Sequence, residues 1–219
     1  YLSSHSYYCG NIGDGFLESI PAVRYHATAV TAGATTTNRY NAIYGKSSFD
    51  GKPSPSLLHW YPQWESGTYT GQDQATWHVT GNRDYVVFGG EFTAVGGRTQ
   101  QGLVRFARAG IAPNRVGPAG SDGLTPALVS SEPGVVDVGW QAASDPDNRT
   151  LSYTLYRGGT PIESISADST PFDRRTIAIR DRGLLPGSSQ RYRIVAKDAR
   201  GNTVSGSEAS VTVAGSTKA

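Results

Sequence analysis

Residues 86–107 read VVFGGEFTAVGGRTQQGLVRFA. A β-rich run, DYVVFGGEF at 84–92, ends in a Gly-Gly kink. TAVGGR at 93–98 is a glycine-rich turn. In QGLVRFA at 101–107, Leu103, Arg105 and Ala107 share one face and Val104 and Phe106 the other, the period-two pattern of a half-buried strand. Just upstream, residues 75–81 alternate weakly through Trp77 and Val79. Three strands joined by one tight turn and one glycine-rich turn are therefore expected between 75 and 107.

That succession suits a propeller blade. A degenerate earlier copy can be laid on it. LSSHSY at 2–7 aligns with VFGGEF at 87–92, residues 11–15 take the place of the glycine-rich turn, and YHATAVTA at 25–32 takes the place of QGLVRFA. LLHWYP at 57–62 then reads as a closing outer strand. The first copy lacks an innermost strand and the last copy an outer one. The chain has no Met and begins in what reads as a strand, so an upstream part is expected.

APNRVGPAGSDG at 112–123 is a linker by composition. Beyond it come seven short strands at regular spacing, over 127–130, 135–141, 151–157, 161–166, 176–180, 191–197 and 208–213. This is the count for an Ig-like or fibronectin type III sandwich. Trp140 falls on the second strand as a core plug, and Tyr153, Leu155, Ile194 and Ala196 alternate inward. The predicted fold is all-β: incomplete propeller-like blades over 1–111, the linker, a sandwich over 124–214 and a polar tail over 215–219.

Composition agrees. The 219 residues include 27 Gly and 12 Pro, which supply the turns such strands need. The net charge of +2 comes from scattered charges, so no basic stripe points to nucleic acid. No segment is apolar enough to span a bilayer.

VVFGGEFTAVGGRTQQGLVRFA resembles the Gly-Gly-x-Phe-Thr-x-Val repeat of secreted actinobacterial propeller proteins. The stretches LSYTLYRGGTPI at 151–162 and LLPGSSQRYRIVAKDARGN at 184–202 resemble bacterial fibronectin type III modules that commonly follow it. Such modules often carry a corner tyrosine four residues after the Pro of the Leu-x-Pro-Gly turn. Here that place is Gln190, and the aromatic follows two residues later at Tyr192.

Three constellations bear on chemistry. His5, Tyr7, Tyr8 and Cys9 are donors of the kind copper favours, and copper oxidases similar to galactose oxidase pair a propeller with an Ig-like domain. His26, His59 and His78 would have to converge on them. Asp145 and Asp147 in SDPDNRT, with Asp198 in KDARGNT, are oxygen ligands suited to calcium if their loops meet at one pole; ordinary turn chemistry accounts for the same residues. Trp60, Tyr61 and Trp64 offer flat apolar faces to sugar rings, or pack between blades. No Ser-His-Asp set, phosphate loop or zinc spacing is present.

No catalytic, cofactor-binding or metal-binding residue is assigned. The expected function is an extracellular structural or binding module of a larger secreted or cell-surface bacterial protein. Its expected partners are a glycan or a surface protein, and an upstream part of the same protein, disulfide-linked through Cys9. The rival readings are a fragment of a propeller enzyme with its site on other blades, and a phage tail or surface-fibre component.

Overall fold

A computed structural model describes residues 1–40, 49–112 and 115–215. Residues 216–219 of the expected tail over 215–219, and residues 113–114 of the expected linker, lie outside the described residues. The fold is all-β, built from several small antiparallel sheets, none of them closed. The chain divides into two units, Tyr1–Asn114 and Arg115–Ala219.

In the first unit β1 (Leu2–Ser6) pairs with β2 (Tyr25–Thr28), and β3 (Thr36–Thr37) with β4 (Pro53–Ser54). The strands β5 (Trp64–Ser66), β6 (Thr76–Gly81), β7 (Tyr85–Gly90), β8 (Phe92–Val95), β9 (Arg98–Thr99) and β10 (Leu103–Ala107) form two three-stranded sheets, β10-β7-β6 and β5-β8-β9. The three strands expected over 75–107 are thus β6, β7 and β10. The Asn82 side-chain oxygen accepts the N–H groups of Asp84 and Tyr85 at 2.9 and 3.0 Å, which closes the β6–β7 turn. β7 lies between its partners, with Phe88 opposite Val104 and Val79. At the Gly-Gly kink the backbones touch: a Cβ on Gly90 would lie 2.1 Å from the Ala75 carbonyl oxygen. The chain then leaves the sheet. β8 and β9, joined by Gly96 and Gly97 at positive φ, pair with β5 instead.

Alternation decides the core. Val86 and Phe88 are buried with Ala27, and Val79, Val104, Phe106, Trp60 and Trp64 pack against them. Leu103 and Arg105, on the other face of β10, are exposed. One expected strand fails to form. Only Leu57 of 57–62 makes a bridge, with Val30. The Trp60 N–H then bonds back to the Leu58 carbonyl, and this tight turn takes the chain out of the extended conformation.

The second unit opens with a 3-10 turn (Ser121–Leu124). It continues as β11 (Ala127–Val129), β12 (Val135–Gln141), β13 (Thr150–Arg157), β14 (Thr160–Asp168), β15 (Thr176–Arg182), β16 (Ser189–Lys197), β17 (Thr203–Ser205) and β18 (Ala209–Thr212). One sheet has the order β11-β12-β15. The other has the order β14-β13-β16-β17, with β18 also on β16. The last expected strand, over 208–213, is β18, and β17 is an additional strand that the sequence reading did not include. Between the two, Gly206 lies against the backbone of Leu124, where a Cβ would approach the carbonyl carbon to 2.3 Å.

Both sheets contribute to one core. Val136, Val138 and Trp140 come from β12, Ile177 and Ile179 from β15, Leu151, Tyr153 and Leu155 from β13, and Tyr192, Ile194 and Ala196 from β16. Leu124 of the 3-10 turn is fully buried with them. Ala119 exchanges backbone hydrogen bonds with Ser144 at 2.8 and 3.1 Å, so residues 119–124 are part of this packing.

Candidate functional site

β1 carries Ser3, Ser4, His5 and Ser6, and the chain then turns through Tyr7, Tyr8 and Cys9. The β1–β2 register slips between Ser3 and Ser6, so β1 is bulged. Residues 3–8 and Gln74 border an open cleft of about 400 Å³. Ser3 donates to Thr76 Oγ1 at 3.0 Å, and the Thr76 hydroxyl in turn donates to the His26 carbonyl. The hydroxyls of Ser4 and Ser6 are 2.7 Å apart. Cys9 is bound into the next turn by its N–H, which donates to the Phe16 carbonyl at 2.9 Å. It is half-buried, and burial raises its thiol above the ordinary value.

His5 and His26 interact electrostatically across the β1–β2 pair. His59 instead packs edge-on against Tyr61, with ring centroids 5.1 Å apart, and His78 is exposed on β6. Among the described residues no group of three His, Cys, Asp or Glu is placed to hold a metal ion. The copper ligand set considered for His5, Tyr7, Tyr8 and Cys9 is not assembled from these histidines.

Sequence reasoning did not single out the surroundings of His26. Its side chain is buried; Nε2 lies 3.4 Å from Ser66 Oγ, and Nδ1 has no hydrogen-bond partner. Burial lowers its pKa, His5 and Arg24 reinforce this, and Asp73 opposes it. Asp73 is held below the usual carboxylate range, first by a hydrogen bond from Ser66 and also by Arg24, whose guanidinium is 2.5 Å away. Arg24, Asp73, Ser66 and His26 thus form one polar chain beside β2.

Asp145 and Asp198 cap their own loops. Oδ1 of buried Asp145 accepts the N–H groups of Asp147 and Asn148 at 3.0 and 2.9 Å, and the Asn148 amide at 3.1 Å. Burial, followed by a hydrogen bond to the Asp147 carboxyl, pushes the Asp145 pKa up to about 6. Asp198 accepts the Arg200 and Asn202 N–H groups at 2.8 Å each, and the Asn202 amide at 2.7 Å. A carboxylate committed to several N–H donors within its own turn is a structural cap. The three aspartates are not brought together as a calcium site.

Trp60 and Trp64 are covered by other rings. Trp60 stacks on Phe88 at 5.7 Å and meets Phe106 edge-on at 5.3 Å; Trp64 meets Phe92 at 5.0 Å. Tyr61 is buried. Trp60 and Trp64 are partly buried against these rings, the arrangement of the packing alternative.

A second network escaped the sequence. Tyr192 donates its hydroxyl to Asp181, and Asp181 receives Arg157 through both oxygens at 2.8 and 3.0 Å. Alternation was the available signal, since Asp181 shares a face of β15 with buried Ile177 and Ile179. A carboxylate on a core-facing side requires partners.

No protein-family model and no curated protein matches the chain.

Proposed function

We propose that the chain is an extracellular structural and binding module of a larger secreted or cell-surface bacterial protein. In this reading the first unit is the end of a propeller-like domain, and the second a fibronectin type III-like sandwich acting as spacer or docking domain. The observation that carries the reading is the partition of strands in the second unit. First, second and fifth expected strands lie in one sheet; the fourth, third, sixth and last, joined by β17, lie in the other. Two antiparallel sheets sharing one core support the sandwich reading. Support for repetition in the first unit comes from pairing: β1 with β2 matches β7 with β10, as the alignment of 2–7 on 87–92 requires. Resemblance to the Gly-Gly-x-Phe-Thr-x-Val proteins supports a secreted setting. There Cys9, the chain's single cysteine, would pair outside these residues.

The test is protease treatment of intact source cells, followed by detection of the chain with an antibody against it. Loss from the cell surface, or recovery from the culture medium, is the expected result. Complete protection until lysis would defeat the reading.

A further inference from the structure

We propose that the cleft along β1 is a binding site for a neutral oligosaccharide, with Ser4, Ser6 and Gln74 as polar contacts and Tyr8 as an aromatic wall. This builds on the reading of the chain as an extracellular binding module and gives that module a site and a ligand class.

Four observations converge. The first is shape: an open cleft of about 400 Å³ is within the range of small-ligand sites. The second is its lining. Among the described residues that border it, none is an acid, a lysine or an arginine, so a phosphate or carboxylate ligand meets no fixed counter-charge. Hydroxyl, phenol, imidazole and amide groups dominate instead, and these both donate and accept, as the hydroxyls of a sugar do. The third is preorganisation. The Ser4 and Ser6 hydroxyls, 2.7 Å apart, already form an adjacent donor–acceptor pair of the kind that engages neighbouring hydroxyls on one ring. Below them Ser3 is tied to Thr76, which is fully buried and anchored to the His26 carbonyl.

The fourth observation concerns the strand. Regular alternation sends every second residue to the far side of a sheet. Six consecutive residues of this chain nevertheless border the same cleft. The bulge between Ser3 and Ser6, followed by the end of β1 at Ser6, re-aims them. Tyr8 is then set by a close approach: a Cβ on Gly10 would lie 3.0 Å from both the ring Cζ and the hydroxyl. An amphipathic ring bordering the same cleft as paired hydroxyls suits the apolar CH face and polar rim of a pyranose. An extended peptide is the competing ligand, and the test separates the two.

The whole chain is applied to an array of neutral oligosaccharides of glucose, mannose, galactose and N-acetylglucosamine, and to a library of extended peptides. Affinity for the best oligosaccharide is then measured by calorimetry. Binding of a neutral oligosaccharide is expected. Ser4→Ala combined with Ser6→Ala, and separately Gln74→Ala, should each weaken it roughly tenfold or more without moving the urea midpoint. Tyr8→Phe, which keeps the ring, should retain most of it. Sugar binding unaffected by any of these variants would overturn the site while leaving the module reading intact. Binding of peptides alone, or of nothing, would overturn the inference, with surface exposure of the chain still decided separately by protease treatment.

Discussion

The hydroxyl of Tyr192 donates to Asp181 Oδ2 at 2.7 Å, across the interior between β16 and β15, and Arg157 closes the same carboxylate from β13. The fully buried phenol is pushed above its ordinary pKa, first by burial and then by the hydrogen bond to Asp181. The network ties the two sheets together with a charge-assisted hydrogen bond, where Gln190 occupies the place of the corner tyrosine.

Tyr192→Phe should cost about 1.5–3 kcal/mol, the usual value of a hydrogen bond to a charged group. Asp181→Ala should cost more, because it strands a buried phenol and frees Arg157 from its partner. Urea denaturation of the two variants checks this order. An unchanged midpoint for Tyr192→Phe would mean the network is dispensable.

Trp140 is 3% exposed and lies 6.1 Å from the Tyr153 ring, centroid to centroid. Trp140→Ala should lose about 3–5 kcal/mol, as deletions of large buried aromatics do. A loss confined to a few tenths of a kcal/mol would show that the sheets close over the gap.

Gly90→Ala should destabilise the first unit by about 1–3 kcal/mol, because its methyl would collide with main-chain atoms of Ala75 and Thr76 that have no rotamer to change. Gly97→Ala makes a useful contrast: it meets no atom within 4 Å, and its penalty comes from positive φ alone. Thermal melts of both variants decide whether the kink is a steric requirement.

Opposite pH responses are expected from the two units. His26 has a depressed folded pKa, so the folded state binds fewer protons than the unfolded one. Its stabilisation is present above the ordinary imidazole value of 6.5 and fades as pH falls through the folded value. Asp145 behaves inversely. Its pKa rises from 3.8 to about 6, so its contribution is full below 3.8 and is lost as pH rises through 6. Hydrogen exchange between pH 4 and 7 should therefore show β2 loosening on acidification while the loop at Asp145 tightens. Asp145→Asn, which cannot ionise, should remove the second response. Parallel behaviour of both regions would contradict these assignments.

Cys9 is half-buried with a raised thiol pKa, so little thiolate is present near neutrality. In reduced protein, labelling by a maleimide should be slow until urea is added. In material purified from its source without reductant, the proposed external disulfide predicts no labelling in urea until reductant is supplied. Rapid labelling of the native, unreduced protein would exclude both.

Much of the fold was legible because strands announce themselves locally. The alternation of Leu151, Tyr153 and Leu155, of Ile194 and Ala196, and of Val104 and Phe106 names the buried face without knowledge of any partner. The hairpin at Asn82 and the glycines of 96–97 carry their turn chemistry in their own side chains, or lack of them. Function was less legible, since a site is a meeting of distant residues. The histidines and aspartates chosen by type were sorted by the fold: Asp198 closes its own turn, and His59 packs on Tyr61.

Local pattern determined that this chain is all-β, where most of its strands lie and which residues face inward. Those properties follow from backbone geometry and side-chain period, which act within a few residues. Tertiary structure alone decided that Trp60 and Trp64 are covered by Phe88, Phe92 and Phe106, that Asp181 joins Arg157 to Tyr192, and that a bulge in β1 lines residues 3–8 along one cleft with Gln74. Each depends on residues far apart in sequence arriving at one place, and the cleft also on a one-residue slip in the β1–β2 register. Such a slip re-aims side chains without leaving any mark in their order.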